Sequence, residues 1–362
     1  MVDTPTLSDG TVTLRRHRDA DIAGVVEQSA DPLSRRWTTV PLTYGTEDAK
    51  RFVRDIMPGG WATDQEWGFA LEVDGRYAGT LSLRNEGDGR AELAYGSHPW
   101  VRGSGHVGRA LRLLVDWGFA EKDLHTVVWW ANRGNWASRK TAWRLGFSFD
   151  GTVRQWLPQR GVLTDAWAGT LLRDDPREPR GTWLDTPVLT GTVVTLRPLR
   201  DTDVPRIVEA CADTGTAQWL GRMPVPYTVA DAIGWLEANT EGAASGSKIT
   251  WALADPASDV LLGAINLFSL VAGHEGEVGY WAHPQARGRG LMSEACRLVL
   301  RHGFDDLGLR LVRAVAAVDN TASRRVLEGN GFTRWGTERG GVRVRDGYAD
   351  AAHYEVAADE LS

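Results

Sequence analysis

The sequence predicts two tandem copies of one α/β fold, and three observations carry this. First, the chain repeats itself. Leu14, Asp21 and Trp37 answer Leu196, Asp203 and Trp219 at an offset of 182, and Gly103, Gly105, Asn135 and Ser138 answer Gly288, Gly290, Asn320 and Ser323 at an offset of 185. His98-Pro99, Gly146-Phe147 and Asp165 share the second offset with His283-Pro284, Gly331-Phe332 and Asp350. So small a drift means two copies of about 175 residues each, too long a period for a solenoid. Second, each copy contains a short apolar strand, a glycine-rich turn and an amphipathic helix, in that order. Third, strand-like and helix-like periodicities alternate along each copy.

In the first copy, Val12–Arg16 reads as a strand, and Ala20–Ala30 and Thr46–Met57 as helices. Trp67–Val73 and Tyr77–Leu83 alternate around Asp74-Gly75, a two-residue hairpin turn. Glu92–Gly96 is the strand before the glycine-rich turn. Val107, Ala110, Leu111, Leu114 and Gly118 mark the helix after it. Thr126–Trp130 is a strand, Ala137–Leu145 a helix, and Val162–Leu172 a closing strand. In the second copy Ile249–Ala254 and Val260–Phe268 answer the hairpin, Glu277–Ala282 the strand before the turn, and Leu311–Ala317 the next strand. Asn320 and Ser323 open a helix that Gly331 stops. Arg173–Thr182, with two prolines, a glycine and six charges, reads as the link. The expected division is 1–172, a linker over 173–187, and 188–362.

The 362 residues are 42% hydrophobic and 24% charged, as in an ordinary globular protein. No run of apolar residues is long enough to span a bilayer, so no membrane association is expected. Met1–Gly10 is polar and lacks the apolar core of a signal peptide. Cys211 and Cys296 are too few for a disulfide framework. A cytoplasmic location is expected. Residues 1–180 hold 24 basic and 24 acidic side chains, the remainder 17 and 23. Neither copy is basic, so nucleic acid is not an expected partner. No metal site is expected.

The most informative stretch is Gln285-Ala-Arg-Gly-Arg-Gly-Leu-Met292. Gly288 and Gly290 let the backbone approach a ligand, and the first amides of the following helix have no partner inside it. Such a turn binds phosphates, and Arg287 and Arg289 add charge beside it. A dinucleotide fingerprint needs a third glycine where Ser293 stands, and a P-loop needs a closing Gly-Lys-Ser/Thr that is absent. With its flanking strand and helix, Gln285-x-x-Gly288-x-Gly290 resembles the acetyl-CoA pyrophosphate loop of the GNAT acetyltransferase superfamily. Asn320-x-x-Ser323 followed by Gly331-Phe332 adds to the likeness. Leu196-Arg197-Pro-Leu-Arg-Asp-Thr-Asp203, Asp350 and Tyr354-Glu-Val356 are similar to the branch that holds the ribosomal-protein N-terminal acetyltransferases.

The resemblance implies a fold for each copy: a mixed, mostly antiparallel sheet with helices on both faces. It implies acetyl-CoA as acyl donor. Gln285, Arg287, Gly288, Arg289, Gly290, Leu291 and Met292 would hold its phosphates, as would Arg102, Gly103, Ser104, Gly105 and His106 in the first copy. Asn320 and Asn135 would lie along the pantetheine arm.

Acyl transfer to an amine needs a base for the ammonium and a proton for the departing thiolate. Glu277 and Glu92 stand on the strand before each loop, where the family often draws its base; each reads equally as a solvated carboxylate. Tyr280 and Tyr95, or Ser323 and Ser138, could protonate the thiolate. The tyrosines read also as packing, the serines as helix caps. His98 and His283 share a His-Pro context that suggests loop shaping. Strand alternation puts Glu277 and Tyr280 on opposite faces unless a bulge intervenes.

The copies differ. Trp100 stands for Gln285 and Ser104 for Arg289, and the first copy holds eleven tryptophans against five. The expectation is an acetyl-CoA-dependent N-acetyltransferase acting on a primary amine, a small molecule in slight preference to a protein N-terminus or lysine. Alternatives are an acyl-CoA-binding sensor or scaffold, or one active and one structural copy. A monomer with two pseudo-symmetric domains and a homodimer both fit.

Overall fold

The computed structural model describes residues 4–360, in two units that divide between Arg180 and Gly181. The first unit contains β1 (Leu7–Ser8), β2 (Thr13–Arg15), α1 (Ile22–Ala30), α2 (Pro32–Trp37), α3 (Thr46–Arg51), α4 (Met57–Ala62), β3 (Glu66–Val73), β4 (Arg76–Gly87), β5 (Arg90–Ser97), α5 (His106–Glu121), β6 (Thr126–Asn132), α6 (Trp136–Arg144), β7 (Gly151–Gln159) and β8 (Val162–Leu172). Its sheet has eight strands in the order β1-β2-β3-β4-β5-β6-β8-β7. The β5–β6 pair is parallel and the others antiparallel.

The second unit follows the same plan: β9 (Leu189–Thr190), β10 (Thr195–Arg197), α7 (Val204–Ala212), α8 (Thr214–Ala217), α9 (Val229–Ala244), β11 (Lys248–Ala254), β12 (Leu261–Val271), β13 (Glu275–Ala282), α10 (Leu291–Arg301), β14 (Leu311–Ala317), α11 (Thr321–Glu328), β15 (Thr333–Val344) and β16 (Gly347–Ala357). Its strand order is β15-β16-β14-β13-β12-β11-β10-β9, with β13–β14 the parallel pair.

Period-2 alternation decides which residues are core. On one sheet face Ile249, Trp251 and Leu253 pack with Leu291, Ala295 and Val299 of α10. On the other, Ala252 packs with Ile207 of α7 and Ala232 of α9. The first unit repeats the arrangement, with Trp67, Phe69 and Leu71 against α5 and Ala70 against Val25 of α1 and Ala49 of α3. Helices thus cover both faces of each sheet. A buried ion pair closes the start of each unit, Arg15 with Asp21 and Arg197 with Asp203, each at 2.8 Å.

Three local features go beyond the sequence expectation. The helix from Thr46 runs on to Ala62 through a π turn at Phe52–Ile56. Pro58 follows directly on that π turn, as the second residue of α4. Helix α2 and strand β7 are additional; Asp31 caps α2 by accepting from the Ser34 amide at 2.9 Å. In the charged stretch after β8, Arg173 donates to the Leu124 carbonyl at 2.8 Å and Arg177 to Asp116 at 3.0 Å, so its arginines are tied to the first unit.

Candidate active site

In the second unit β13 ends in a single helical turn at Pro284–Ala286, and the loop Arg287–Gly290 leads into α10. Gly288 has φ +71° and Gly290, the residue before α10, φ +73°. Both lie in the left-handed region that side-chain-bearing residues avoid. An added Cβ at either would meet nothing within 4 Å. The glycines are therefore required by backbone conformation, and the space in front of them is open. Gly103 (φ +77°) and Gly105 (φ +83°) reproduce this in the first unit. Open glycines followed by the unpaired amides of a helix N-terminus fit a pyrophosphate.

The side chains around the loop are placed less simply. Arg287 forms an ion pair with Asp213 and donates to Thr216 Oγ1 at 2.6 Å. Asp213 is also the N-cap of α8. Arg102 does the same in the first unit, with Asp31 at 2.7 Å and Ser34 Oγ at 3.1 Å. Each arginine thus braces its loop against a helix cap, and its charge is answered by a carboxylate. Arg289 is exposed. Gln285 is exposed too, and its side-chain oxygen accepts from Arg206 at 3.0 Å. Leu291 and Met292 are core residues, 2% and 9% exposed, so only their amides can face a ligand. In the first unit Ser104 donates to the Val101 carbonyl and lies 2.6 Å from His106 Nδ1, and the Trp100 indole donates to the Tyr77 carbonyl at 3.3 Å. His283 is 1% exposed and its Nδ1 accepts the Gln285 amide at 3.2 Å. Burial, then Arg206, holds its basicity below the ordinary histidine value.

Beyond the loop the sheet splits. β13 pairs with β14 only from Glu275–Leu311 to Glu277–Arg313, although both strands run on to Ala282 and Ala317. The gap leaves the β13 backbone beyond Glu277 without a partner on that side. Tyr280 and Ser323 meet at one side of it: the phenol lies 3.0 Å from Ser323 Oγ and donates to the Ser323 carbonyl at 3.2 Å. Burial raises the Tyr280 phenol far above its usual range, against the Ser323 hydrogen bond, so it remains protonated. Asn320, not Ser323, is the helix cap; its side chain accepts the Ser323 amide at 3.1 Å.

Glu277 faces the other way. The register from Phe268–Glu277 to Gly263–Ala282 is unbroken, so no bulge brings Glu277 and Tyr280 to one face. The irregularity lies in β12, between Phe268 and Val271. Glu277 has no hydrogen-bond or ion-pair partner among the described residues. Burial raises its carboxyl above the ordinary range, opposed by the charges of His353 and Arg313.

The first unit has the same split, with β5 and β6 paired only from Arg90–Thr126 to Leu93–Trp129. Its polar groups, however, are engaged. Arg84 donates to Glu92 at 3.1 Å and lies 3.4 Å from Glu66. The Trp129 indole donates to Ser138 Oγ at 3.0 Å, and Tyr95 lies 2.8 Å from the same oxygen. Asn135 accepts the Ser138 amide at 3.2 Å. Phe268 and Ala314 replace Arg84 and Trp129 in the second unit. The sequence does not set Arg84 against Glu92, which strand pairing does, or Trp129 against Ser138, which the packing of α6 on β6 does.

A family model described as Acetyltransferase (GNAT) domain matches the chain twice, over residues 11–148 and 194–333. The putative ribosomal N-acetyltransferase YdaF of Bacillus subtilis is 35% identical over 101 residues, 28% of this chain and 55% of that protein. The probable N-acetyltransferase YjcK of the same organism is 34% identical over 94 residues, 25% and 52% of the two chains. The matches thus span about half the length of these relatives. Among solved structures, Mycobacterium smegmatis RimJ in complex with CoA-disulfide is 22% identical, with TM-score 0.45, 49% of this chain and 90% of that chain covered. Both matched stretches carry the open glycine loop at the head of a helix, and the chain belongs to the GNAT acetyltransferase family, whose domain it contains twice.

Proposed function

We propose that the chain is an acetyl-CoA-dependent N-acetyltransferase that acetylates a primary amine by direct transfer, and that the second unit carries the reaction. Acetyl-CoA, when bound, supplies an activated thioester. Gly288, Gly290 and the first amides of α10 would hold its phosphates. The amine enters on the Glu277 side of the split and loses its proton to that carboxylate. From the opposite side, the Tyr280–Ser323 hydroxyl pair donates the proton that the leaving sulfur needs. Acid and base on opposite faces of one gap suit a reaction that consumes a proton at one end and releases one at the other.

The single observation that carries the assignment to the second unit is that Glu277 is free of partners where Glu92 is paired with Arg84. Burial raises both carboxyls above the ordinary range, but at Glu92 the Arg84 guanidinium opposes the rise and occupies the carboxylate. The first unit keeps its glycines, so we assign it weaker acetyl-CoA binding or a supporting role. A relative named as a ribosomal N-acetyltransferase speaks for a protein amine as acceptor; the doubling of the domain is the argument for a small molecule. Thiol release from acetyl-CoA, measured with a panel of small amines and peptide N-termini, tests the function. If no amine accelerates release while CoA binds, the chain is a CoA-binding sensor and not an enzyme.

A further inference from the structure

One cluster on the second unit is not used by that mechanism. His353 on β16 opposes Val315 on β14, two residues beyond Arg313, which opposes Glu277 on β13. Cross-strand partners and alternate residues share a face, so His353 stands on the Glu277 face, past the split. It opposes Gly336 on β15, where the register shifts between Arg334 and Gly336. The Trp335 ring lies 5.1 Å from the imidazole. His353 Nε2 is 3.1 Å from Glu338 Oε2. The His353 side chain is 22% exposed and that of Glu338 61%. Glu277, His353 and Glu338 therefore run from the split toward open solvent. The first unit has Ala168 at the position of His353 and Val153 at that of Glu338. The polar pair exists only in the unit whose glutamate is unpaired.

We propose that His353 and Glu338 are positioning residues that carry the acceptor's proton from Glu277 to solvent. The inference rests on Glu277 taking that proton. The N–H bond of the ammonium breaks as an O–H bond forms on Glu277. Solvent water carries the proton from Glu277 to the imidazole, which releases one from Nε2 to Glu338, and Glu338 yields it to water. Each group returns to its starting state, and nothing is oxidised or reduced. On the face that the imidazole shares, the charged groups include Glu338 from β15, Glu355 two residues along β16, Arg313 from β14 and Glu277 from β13. Burial raises the Glu277 carboxyl, so the loss of its proton after each turnover is the step that an exit assists.

Two measurements on the full chain test this. His353→Ala lowers kcat about tenfold, less than the 10²–10⁴ of a direct base because water can partly substitute, and leaves the KM for acetyl-CoA unchanged. Added imidazole restores the rate of His353→Ala, which a purely structural role would not allow. A normal kcat in His353→Ala, or no imidazole rescue, overturns the relay. An active wild type with a dead Glu277→Gln and a normal His353→Ala overturns the relay alone. A wild type that acetylates no amine overturns the proposed function, and the relay with it.

Discussion

Arg84 donates to Glu92 at 3.1 Å across two antiparallel strands, and the residue in that place opposite Glu277 is Phe268. This exchange of cation for ring is the difference between the two sites that touches the carboxylate directly. The first unit holds its carboxylate as half of an ion pair. The second leaves it half-buried opposite Phe268.

Glu277→Gln is therefore expected to lower kcat by about 10²–10⁴, the range for loss of a general base, while Glu92→Gln leaves it nearly unchanged. Steady-state rates with one accepted amine decide this. The pH dependence follows in sign. Burial raises the Glu277 carboxyl, so kcat/KM falls as pH drops through a value above the ordinary carboxylate range. A dead Glu92→Gln and a working Glu277→Gln would reverse the roles of the units.

Gly290→Val is expected to abolish CoA binding by the second unit while the fold survives. The cause is conformational: φ is +73° and a Cβ has room, but a residue with a Cβ pays roughly 1–2 kcal/mol there, and a β-branched one more. The loop would relax and turn its amides away. Gly290→Asn, which tolerates this region, should keep part of the affinity. Calorimetry reads both, and unchanged affinity in the valine variant removes the loop from the site.

Ser323→Ala should cut the rate by about 10²–10⁴ with little change in CoA affinity, if its hydroxyl and Tyr280 deliver the proton. Asn320→Ala should instead cost about 1 kcal/mol of stability as a lost cap. Turnover and thermal unfolding of both variants separate the roles. A Ser323→Ala enzyme with normal turnover would return the donor role to Tyr280 or to water.

His17 gives the first unit an acid-sensitive element. It is buried, with Nε2 2.9 Å from Thr80 Oγ1. Burial lowers its pKa from 6.5 to about 4. A folded value below the unfolded one means that the unfolded chain takes the proton first as pH falls. The stability is whole above pH 6.5 and is lost down to about pH 4, by about 3 kcal/mol in total. Thermal unfolding between pH 7 and 5 should fall less steeply in His17→Phe than in the wild type. An equal fall would show that other groups carry the acid sensitivity.

Much of this was legible in the residues alone. The internal repeat, the hairpin over Asp74-Gly75, the Gly288 and Gly290 loop and the Asn320 cap are local patterns. The last three depend on spacing within a dozen residues, the range at which backbone sterics and hydrogen bonding act; the repeat is such patterns recurring at offsets of 182 and 185. The repeat and the loop together carried the fold and the family. The same loop pattern did not reveal that Arg287 is taken up by Asp213, or that the Leu291 and Met292 side chains belong to the core. Those facts depend on a helix seventy-odd residues earlier and on which face α10 turns to the sheet.

What only the tertiary structure decided is which polar groups are free. Arg84 reaches Glu92 through a strand pairing. Trp129 reaches Ser138 because β6 and α6 fold back on each other. His353 and Glu338 join the Glu277 face through a strand far along the chain. The sequence by itself determined that there are two copies, their element order and the glycines that a left-handed loop demands, because these are local requirements of the backbone. Which copy keeps an unpaired carboxylate is a matter of neighbours in space, and strand register supplies those neighbours.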